Sequence, residues 1–348
     1  MERVLDQAQR YLDEHVRPKA VAIDREPSAL LEALNGLRQR QLMALRRPLK
    51  FGGPELSDND YQRFQVMLAR RSGALAFLVQ QHQSAVKMIA AGHNETLKAS
   101  TLPHMDGERL MGIGYSQLRR SGPPMLRAAP ARAGGYRLDG VVPWVTGAEF
   151  YPEVLIGAEL PDGRAVFGVV PFEDRENNGA TIRVGPPMEL ASLAVARTCQ
   201  VTLDRWPLAD RHVARVEDKG WMQARDAERV ADKSWLILGC ARGAADVLAR
   251  ASPVAGQTMH AMVDEMEGRL TSARHAPVEI QRRARAELVA LAGRIAHAAV
   301  AAGGGSSNRM THDAQRVYRE VLMFTVLGQT GEVRDTTVDI LTREGIDH

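Results

Sequence analysis

The chain has 348 residues, more than one hydrophobic core usually holds, which predicts two or three packed units. A composition of 45% hydrophobic and 25% charged residues is typical of a folded globular protein and excludes disorder over most of the chain. The formal net charge is only +3 and arginines are spread among nearly equal numbers of acids, so we expect no binding to nucleic acid.

The cysteines and the N-terminus indicate where the protein resides. Cys199 and Cys240 are two widely spaced thiols, which fits neither a disulfide framework nor a metal site. No stretch approaches 18 uninterrupted apolar residues, and the N-terminal segment is amphipathic and charged, unlike a signal sequence. We therefore expect a cytoplasmic protein that does not enter a membrane and holds no metal.

Residues 1–107 predict an N-terminal helical domain. Apolar residues recur there at spacings of three and four, and the periodicity breaks at Pro18, at Pro48 and in the loop FGGPELSDND. Ser57 or Asp58 is the predicted N-cap of the helix that follows this loop.

Residues 108–215 predict a central antiparallel β domain, because short runs rich in Val, Ile and Tyr alternate with Gly, Pro and Asp turns. The sequence DGR at 162–164 is the predicted turn of a hairpin. The helical period then returns, and residues 216–348 predict a C-terminal four-helix bundle. The predicted fold class is therefore α+β.

Five segments carry a more specific signal, and they follow one another along nearly the whole chain. They are FGGPELSDND, GYSQLRRSGPP, GGYRLDGVVPWVTGAEFYPE, RTCQVTLDRWPLADRHV and AQRVYREVLMFTVLGQTGEVRD. Each is similar to a motif of the acyl-CoA dehydrogenases, and the third most closely resembles that family's G-Y-x-L-N-G-x-K-x-W-I-T-N-A strand pair. The resemblance implies the acyl-CoA dehydrogenase fold, whose domain order is the one predicted above.

The resemblance also implies an FAD site. In this family the tryptophan that corresponds to Trp144 packs beside the flavin ring, and the threonine that corresponds to Thr146 hydrogen-bonds its reactive nitrogen. Residues two apart on a strand point to the same face, so the two side chains can act together. Ser116 stands where the family usually has a threonine, and Thr330 matches a threonine that lies near the cofactor.

The expected catalytic base departs from the family pattern. In the family's reaction a carboxylate removes the α-proton of an acyl thioester while a hydride leaves the β-carbon for the flavin. Most members carry this glutamate where Gly328 stands here. Some members carry it on an earlier helix, which makes Glu228 the candidate, although the family spacing would place Arg229 at that position.

The leading hypothesis is an FAD-dependent oxidoreductase that dehydrogenates an acyl group carried on coenzyme A or on a carrier protein, with an electron-transfer partner. A flavin-dependent monooxygenase or oxidase of the same fold and a catalytically inactive binding relative are the alternatives. The resemblance further implies a homodimer or homotetramer, since the family's bundles pair to complete the cofactor site. The family's R-x-x-F-G motif at that interface is missing from residues 249–262.

Overall fold

The N-terminal part of the chain is helical, as predicted. The computed structural model describes residues 2–132, 134–228 and 230–343. Ser57 caps the helix that follows the FGGPELSDND loop, because its Oγ accepts a hydrogen bond from the Asp60 backbone N–H at 3.1 Å. The helices are α1 (Glu2–Tyr11), α2 (Ala20–Arg25), α3 (Pro27–Gln39), α4 (Asp58–Arg71), α5 (Gly73–Ala90) and α6 (Glu95–Thr101).

A single sheet forms the centre of the molecule, and its described strands run in the order β6-β7-β8-β3-β2-β4-β5-β9, with β1 beside β4. Most neighbours are antiparallel, but β1 and β2 each pair with β4 in parallel, a feature that the sequence did not predict. The predicted hairpin turn joins β4 to β5. The strands are β1 (Met111–Gly114), β2 (Leu126–Pro130), β3 (Tyr136–Val145), β4 (Glu153–Glu159), β5 (Ala165–Pro171), β6 (Arg175–Asn177), β7 (Ala180–Val184), β8 (Cys199–Leu208) and β9 (Val213–Glu217).

The C-terminal part is a helical bundle in which α10 packs against α8, α9, α11 and α12. The segment expected to form the last helix is broken between Val326 and Gly331, where Gly328 adopts a left-handed φ of +57°. By length and composition alone Val278–Asn308 is apolar enough to cross a bilayer, a test that core helices of bundles also pass. The helices are α7 (Trp221–Glu228), α8 (Ser234–Ala251), α9 (Pro253–Ala273), α10 (Val278–Gly303), α11 (Asp313–Val326) and α12 (Gly331–Arg343).

A close helix crossing fixes α4 against the bundle. A Cβ added at Gly239 on α8 would lie 2.6 Å from the Val66 carbonyl oxygen, and one at Gly243 would lie 2.6 Å from that of Arg70. The two helices therefore approach until backbone nearly meets backbone, which only glycine permits. This contact sets the position of the α4 face that borders the site described next.

Candidate functional site

A cavity of about 770 Å³ opens where the helical part, the sheet and the bundle meet. One wall is formed by α4 and α5, and a second by the ends of β1 and β3 with the turn that follows β1. The third wall comes from the α7–α8 connection and the end of α11. Each of the three parts of the chain thus contributes to one site.

Three of the predicted cofactor residues line this cavity together. Trp144, near the end of β3, keeps 44% of its surface exposed although it is a large apolar residue. Thr146 follows β3 and is buried, and its hydroxyl lies 2.9 Å from the hydroxyl of Thr198 in a hydrogen bond. Ser116 is exposed at the start of the turn after β1. The structure therefore brings Trp144, Thr146 and Ser116 to the same wall.

Thr330 occupies a different environment from the other three. Its Oγ1 accepts a hydrogen bond from the Val333 backbone N–H at 3.3 Å, which caps the start of α12. Its neighbours Gly328 and Gln329 border the cavity, but Thr330 itself is not among the lining residues. Its role as a cofactor contact stays a prediction.

Glu228 also lies away from the cavity wall. It is exposed at the end of α7, whereas Asp226, two residues earlier, is buried and lines the cavity. Residues that are two positions apart on a helix are rotated by about 200° around its axis. The carboxylates of Asp226 and Glu228 therefore point in nearly opposite directions. Arg229 falls outside the described residues. Beyond it, Asp232 and Lys233 return to the cavity wall.

An ion cluster that the sequence did not predict stands at this wall. The Asp226 carboxylate accepts hydrogen bonds from Arg119 Nη2 and from Lys233 Nζ, each at 3.1 Å. Burial alone would raise the pKa of Asp226, but the two cations outweigh it and hold that pKa below its ordinary value. For Lys233, burial and the Arg119 charge together lower the pKa to about 8.

Lys233 occupies the space beside Gly328, the position that the sequence resemblance predicts for the family's catalytic glutamate. Its Nζ donates a hydrogen bond to the Gly328 carbonyl oxygen at 3.3 Å. A Cβ added at Gly328 would lie 2.4 Å from Lys233 Cδ and 2.5 Å from its Nζ. Behind this loop the buried Arg285 donates to the Leu327 carbonyl oxygen at 2.6 Å, and burial lowers its pKa to about 10. Two cationic side chains, Lys233 and Arg285, thus lie beside the loop that contains Gly328.

The wall made by α4 and α5 is polar. On α4, Asp58, Tyr61, Gln62 and Gln65 recur at the spacing of one helix face, and all four line the cavity. On α5 the polar lining residues are Gln80, Gln81, Gln83, Ser84 and Lys87. Among the described residues, no group of three or more His, Cys, Asp or Glu side chains is arranged to hold a metal ion.

Comparisons with known proteins identify the architecture. Residues 1–108 match the family model for the acyl-CoA dehydrogenase N-terminal domain. Glutaryl-CoA dehydrogenase from Mycobacterium smegmatis superimposes with a TM-score of 0.79 at 17% identity, covering 98% of this chain and 94% of that one. The chain has the acyl-CoA dehydrogenase fold. The predicted fold class and the resemblance on which it rested are confirmed.

Other solved structures with this fold come from proteins of different activity. KijD3, solved with FMN and dTDP-3-amino-2,3,6-trideoxy-4-keto-3-methyl-D-glucose, has a TM-score of 0.75 at 21% identity, covering 100% of this chain and 94% of that one. Dibenzothiophene monooxygenase from Paenibacillus sp. A11-2 has a TM-score of 0.75 at 15% identity, covering 99% of this chain and 98% of that one. No curated protein gives a significant sequence match. The fold is therefore shared by dehydrogenases and a monooxygenase.

The cavity residues of this acyl-CoA dehydrogenase fold fit a flavin. A flavin ring is planar and largely apolar, while its edges need fixed hydrogen-bond donors. Trp144, Leu322 and Val326 are large apolar side chains left exposed, and all three line the cavity. The Ser116 hydroxyl and the cations near Gly328 provide polar groups on neighbouring walls. A ring that covered the indole would bury apolar surface that the protein alone leaves open.

Proposed function

We propose that this protein is a flavin-dependent oxidoreductase. The observation that carries the proposal is the exposed indole of Trp144 inside the cavity, beside Thr146 and Ser116. These residues would hold the flavin ring, and FAD is the cofactor expected from the sequence. FMN carries the same ring, and it is the flavin found with the fold neighbour KijD3. Supplied with electrons, a bound flavin would provide either hydride or oxygen chemistry at this wall.

The geometry best supports an oxygen-dependent reaction, that of a monooxygenase or oxidase. Such a reaction needs no carboxylate over a substrate α-carbon, and at the position expected for that carboxylate the chain has Gly328, with the Lys233 side chain beside it. Asp226, a lining carboxylate at this wall, is paired with Lys233 and Arg119. Lys233, whose pKa is about 8, is able to hold or release a proton at this wall near neutral pH.

Dehydrogenation of an acyl thioester is the second candidate, and Asp232 favours it. Asp232 lines the cavity, is half-buried, and makes no hydrogen bond or ion pair with any described residue. A carboxylate without a partner is the group that α-proton removal requires. Under this hypothesis Asp232, and not the exposed Glu228, is the base. The acyl carrier would be coenzyme A or a carrier protein, with an electron-transfer partner as the oxidant.

The visible absorption spectrum of the purified protein with added FAD or FMN tests the proposal. Uptake of either flavin supports it, whereas a colourless protein that binds neither would overturn it and favour an inactive binding relative. Light scattering on the same samples measures the homo-oligomer that the sequence predicts.

Two further measurements separate the reaction classes. Oxygen consumption with reduced flavin and no acyl thioester favours the first candidate. Anaerobic loss of flavin absorption upon addition of butyryl-CoA favours the second. In that case Asp232→Asn should abolish the loss of absorption, while the matched variant Glu228→Gln keeps it.

A further inference from the structure

The α4 and α5 wall of the cavity presents carboxamide groups to the ligand space. A hydrocarbon chain is bound by apolar side chains, because polar groups facing it would lose their hydrogen bonds to water without replacement. This wall carries few such apolar groups and five glutamines. We call it the glutamine wall, and it consists of Gln62, Gln65, Gln80, Gln81 and Gln83.

Part of the glutamine wall is held in place by its own hydrogen bonds. Gln80 Oε1 accepts from the Tyr61 hydroxyl at 3.0 Å and from Gln65 Nε2 at 2.7 Å. Gln80 Nε2 donates to Ser84 Oγ at 3.1 Å. This network fixes the orientation of the Gln80 amide at the centre of the wall, so the neighbouring amides pack against a rigid group.

The remaining glutamines have hydrogen-bonding groups that the described protein does not satisfy. Gln83 is 2% exposed, and its Nε2 has no hydrogen-bond partner, although its Oε1 accepts from the Arg46 backbone N–H. Gln62 and Gln81 are each 8% exposed and make no hydrogen bond with any described residue. Gln83 Nε2 is the fully buried unpaired atom of the wall, while the Gln62 and Gln81 amides line the open cavity, so a ligand that enters it can pair with them.

The cavity also favours negative charge. Among the described residues, six cationic side chains and three carboxylates line it. Arg120 and Arg225 are two of the cations, and neither forms an ion pair with a described carboxylate. These two guanidinium groups could form charge-assisted hydrogen bonds with an anionic substituent on the ligand.

We propose that the glutamine wall binds a hydroxylated, sugar-like group that carries a phosphate or similar anion. A carboxamide both donates and accepts, which matches a hydroxyl group and suits a ring that bears several of them. Tyr61 supplies aromatic surface at the same cavity for the carbon framework. The inference rests on the proposed function, because it names the substrate class of the flavin cavity.

Isothermal titration calorimetry of the flavin-saturated chain tests this inference with two matched probes. Glucose 1-phosphate and hexyl phosphate share six carbons and a phosphate, and they differ chiefly in their hydroxyl groups. We expect glucose 1-phosphate to bind about tenfold or more tightly, as one or two additional hydrogen bonds would give. Equal affinity, tighter binding of hexyl phosphate, or binding of neither probe would overturn the inference.

Variants locate the preference at the wall. The double variant Gln62→Met and Gln81→Met keeps side-chain volume but removes both amides, and we expect it to lose the preference for glucose 1-phosphate. Gln281→Met is the matched control, because Gln281 is also 8% exposed but lies on α10 outside the cavity. The double variant should melt at or above the wild-type temperature, since the two amides that it removes have no hydrogen-bond partner in the described part of the chain. A markedly lower melting temperature would show that the glutamines are structural and would contradict the inference.

The same samples separate this inference from the proposed function. Flavin binding is measured by absorption before each titration, and the titration is repeated without flavin. A chain that binds no flavin but prefers glucose 1-phosphate would overturn only the proposed function. A chain that binds flavin but shows no preference between the probes would overturn only the inference.

Discussion

Replacing Lys233 by methionine is expected to make the folded chain more stable at neutral pH. Burial and the Arg119 charge lower the Lys233 pKa from 10.5 to about 8, so the fold disfavours the charged lysine by about 3 kcal/mol. The lowered pKa already includes the favourable contact with Asp226, so the further loss in the variant is the hydrogen bond of Nζ to the Gly328 carbonyl at 3.3 Å, which offsets about 1 kcal/mol of this gain. We expect a net stabilisation of about 2 kcal/mol at pH 7.

The pH dependence of this difference is the decisive measurement. Because the folded pKa of Lys233 is below the unfolded one, the unfolded chain binds more protons between pH 8 and 10.5. The wild type therefore gains stability from this group as the pH rises through that window, and the variant does not. Urea unfolding of both proteins at several pH values gives the difference, in which the other titrating groups cancel. A variant that is less stable at pH 7, by an amount that does not change up to pH 10, would refute the reasoning.

Three further predictions concern the cofactor and the framework. Trp144→Ala should weaken flavin binding about 10- to 100-fold, because aromatic stacking contributes about 1–3 kcal/mol, and a fluorescence titration with equal affinities would contradict this. Gly239→Ala should lower the melting temperature, because the added methyl group would clash with the Val66 carbonyl at a cost of about 1–3 kcal/mol. This cost exceeds the stabilisation of about 1 kcal/mol that the higher helix propensity of alanine provides. Gly293→Ala is its control on α10 and should raise the melting temperature, because its Cβ would meet nothing within 4 Å. Glu320→Ala should cost about 2–4 kcal/mol in urea unfolding, because Arg316 keeps Asp313 at 3.0 Å but loses the Glu320 carboxylate at 2.9 Å, and the Gly73 backbone N–H loses its acceptor. A cost below about 1 kcal/mol would count against this.

The sequence predicted correctly those features of the fold that depend on residues close together in the chain. Helical periodicity, alternating strands and turn residues depend on neighbours within a few positions, so the three-part α+β order and the Ser57 cap were predictable. The W-x-T segment placed Trp144 and Thr146 at the cavity because a strand fixes which residues share a face. The parallel pairing of β1 with β4 was not predictable, because it depends on which distant strands meet.

The ion cluster depends on contacts that no spacing reveals. Arg119 and Asp226 are 107 residues apart, and their pairing requires the sheet turn to pack on α7. The choice of Glu228 as base rested on the family's spacing counted along the sequence, whereas α7 ends at Glu228 and α8 begins at Ser234. Once the helix is interrupted, counting along it no longer gives the direction of a side chain. Asp232 and Lys233 reach the cavity for this reason, and Glu228 does not.

The glycine at position 328 and the Lys233 side chain are physically coupled. A glutamate at position 328 would be beside the charges of Lys233 and the buried Arg285, which would lower its pKa and make it a weak base. It would also need the space that Lys233 fills, in a backbone conformation that favours glycine. Lys233 and a glutamate at position 328 would therefore exclude each other in this backbone conformation. The glutamine wall adds hydrogen-bonding amides, and the cations add positive charge, to a cavity that also has apolar lining, which accommodates a hydroxylated anion beside the flavin ring.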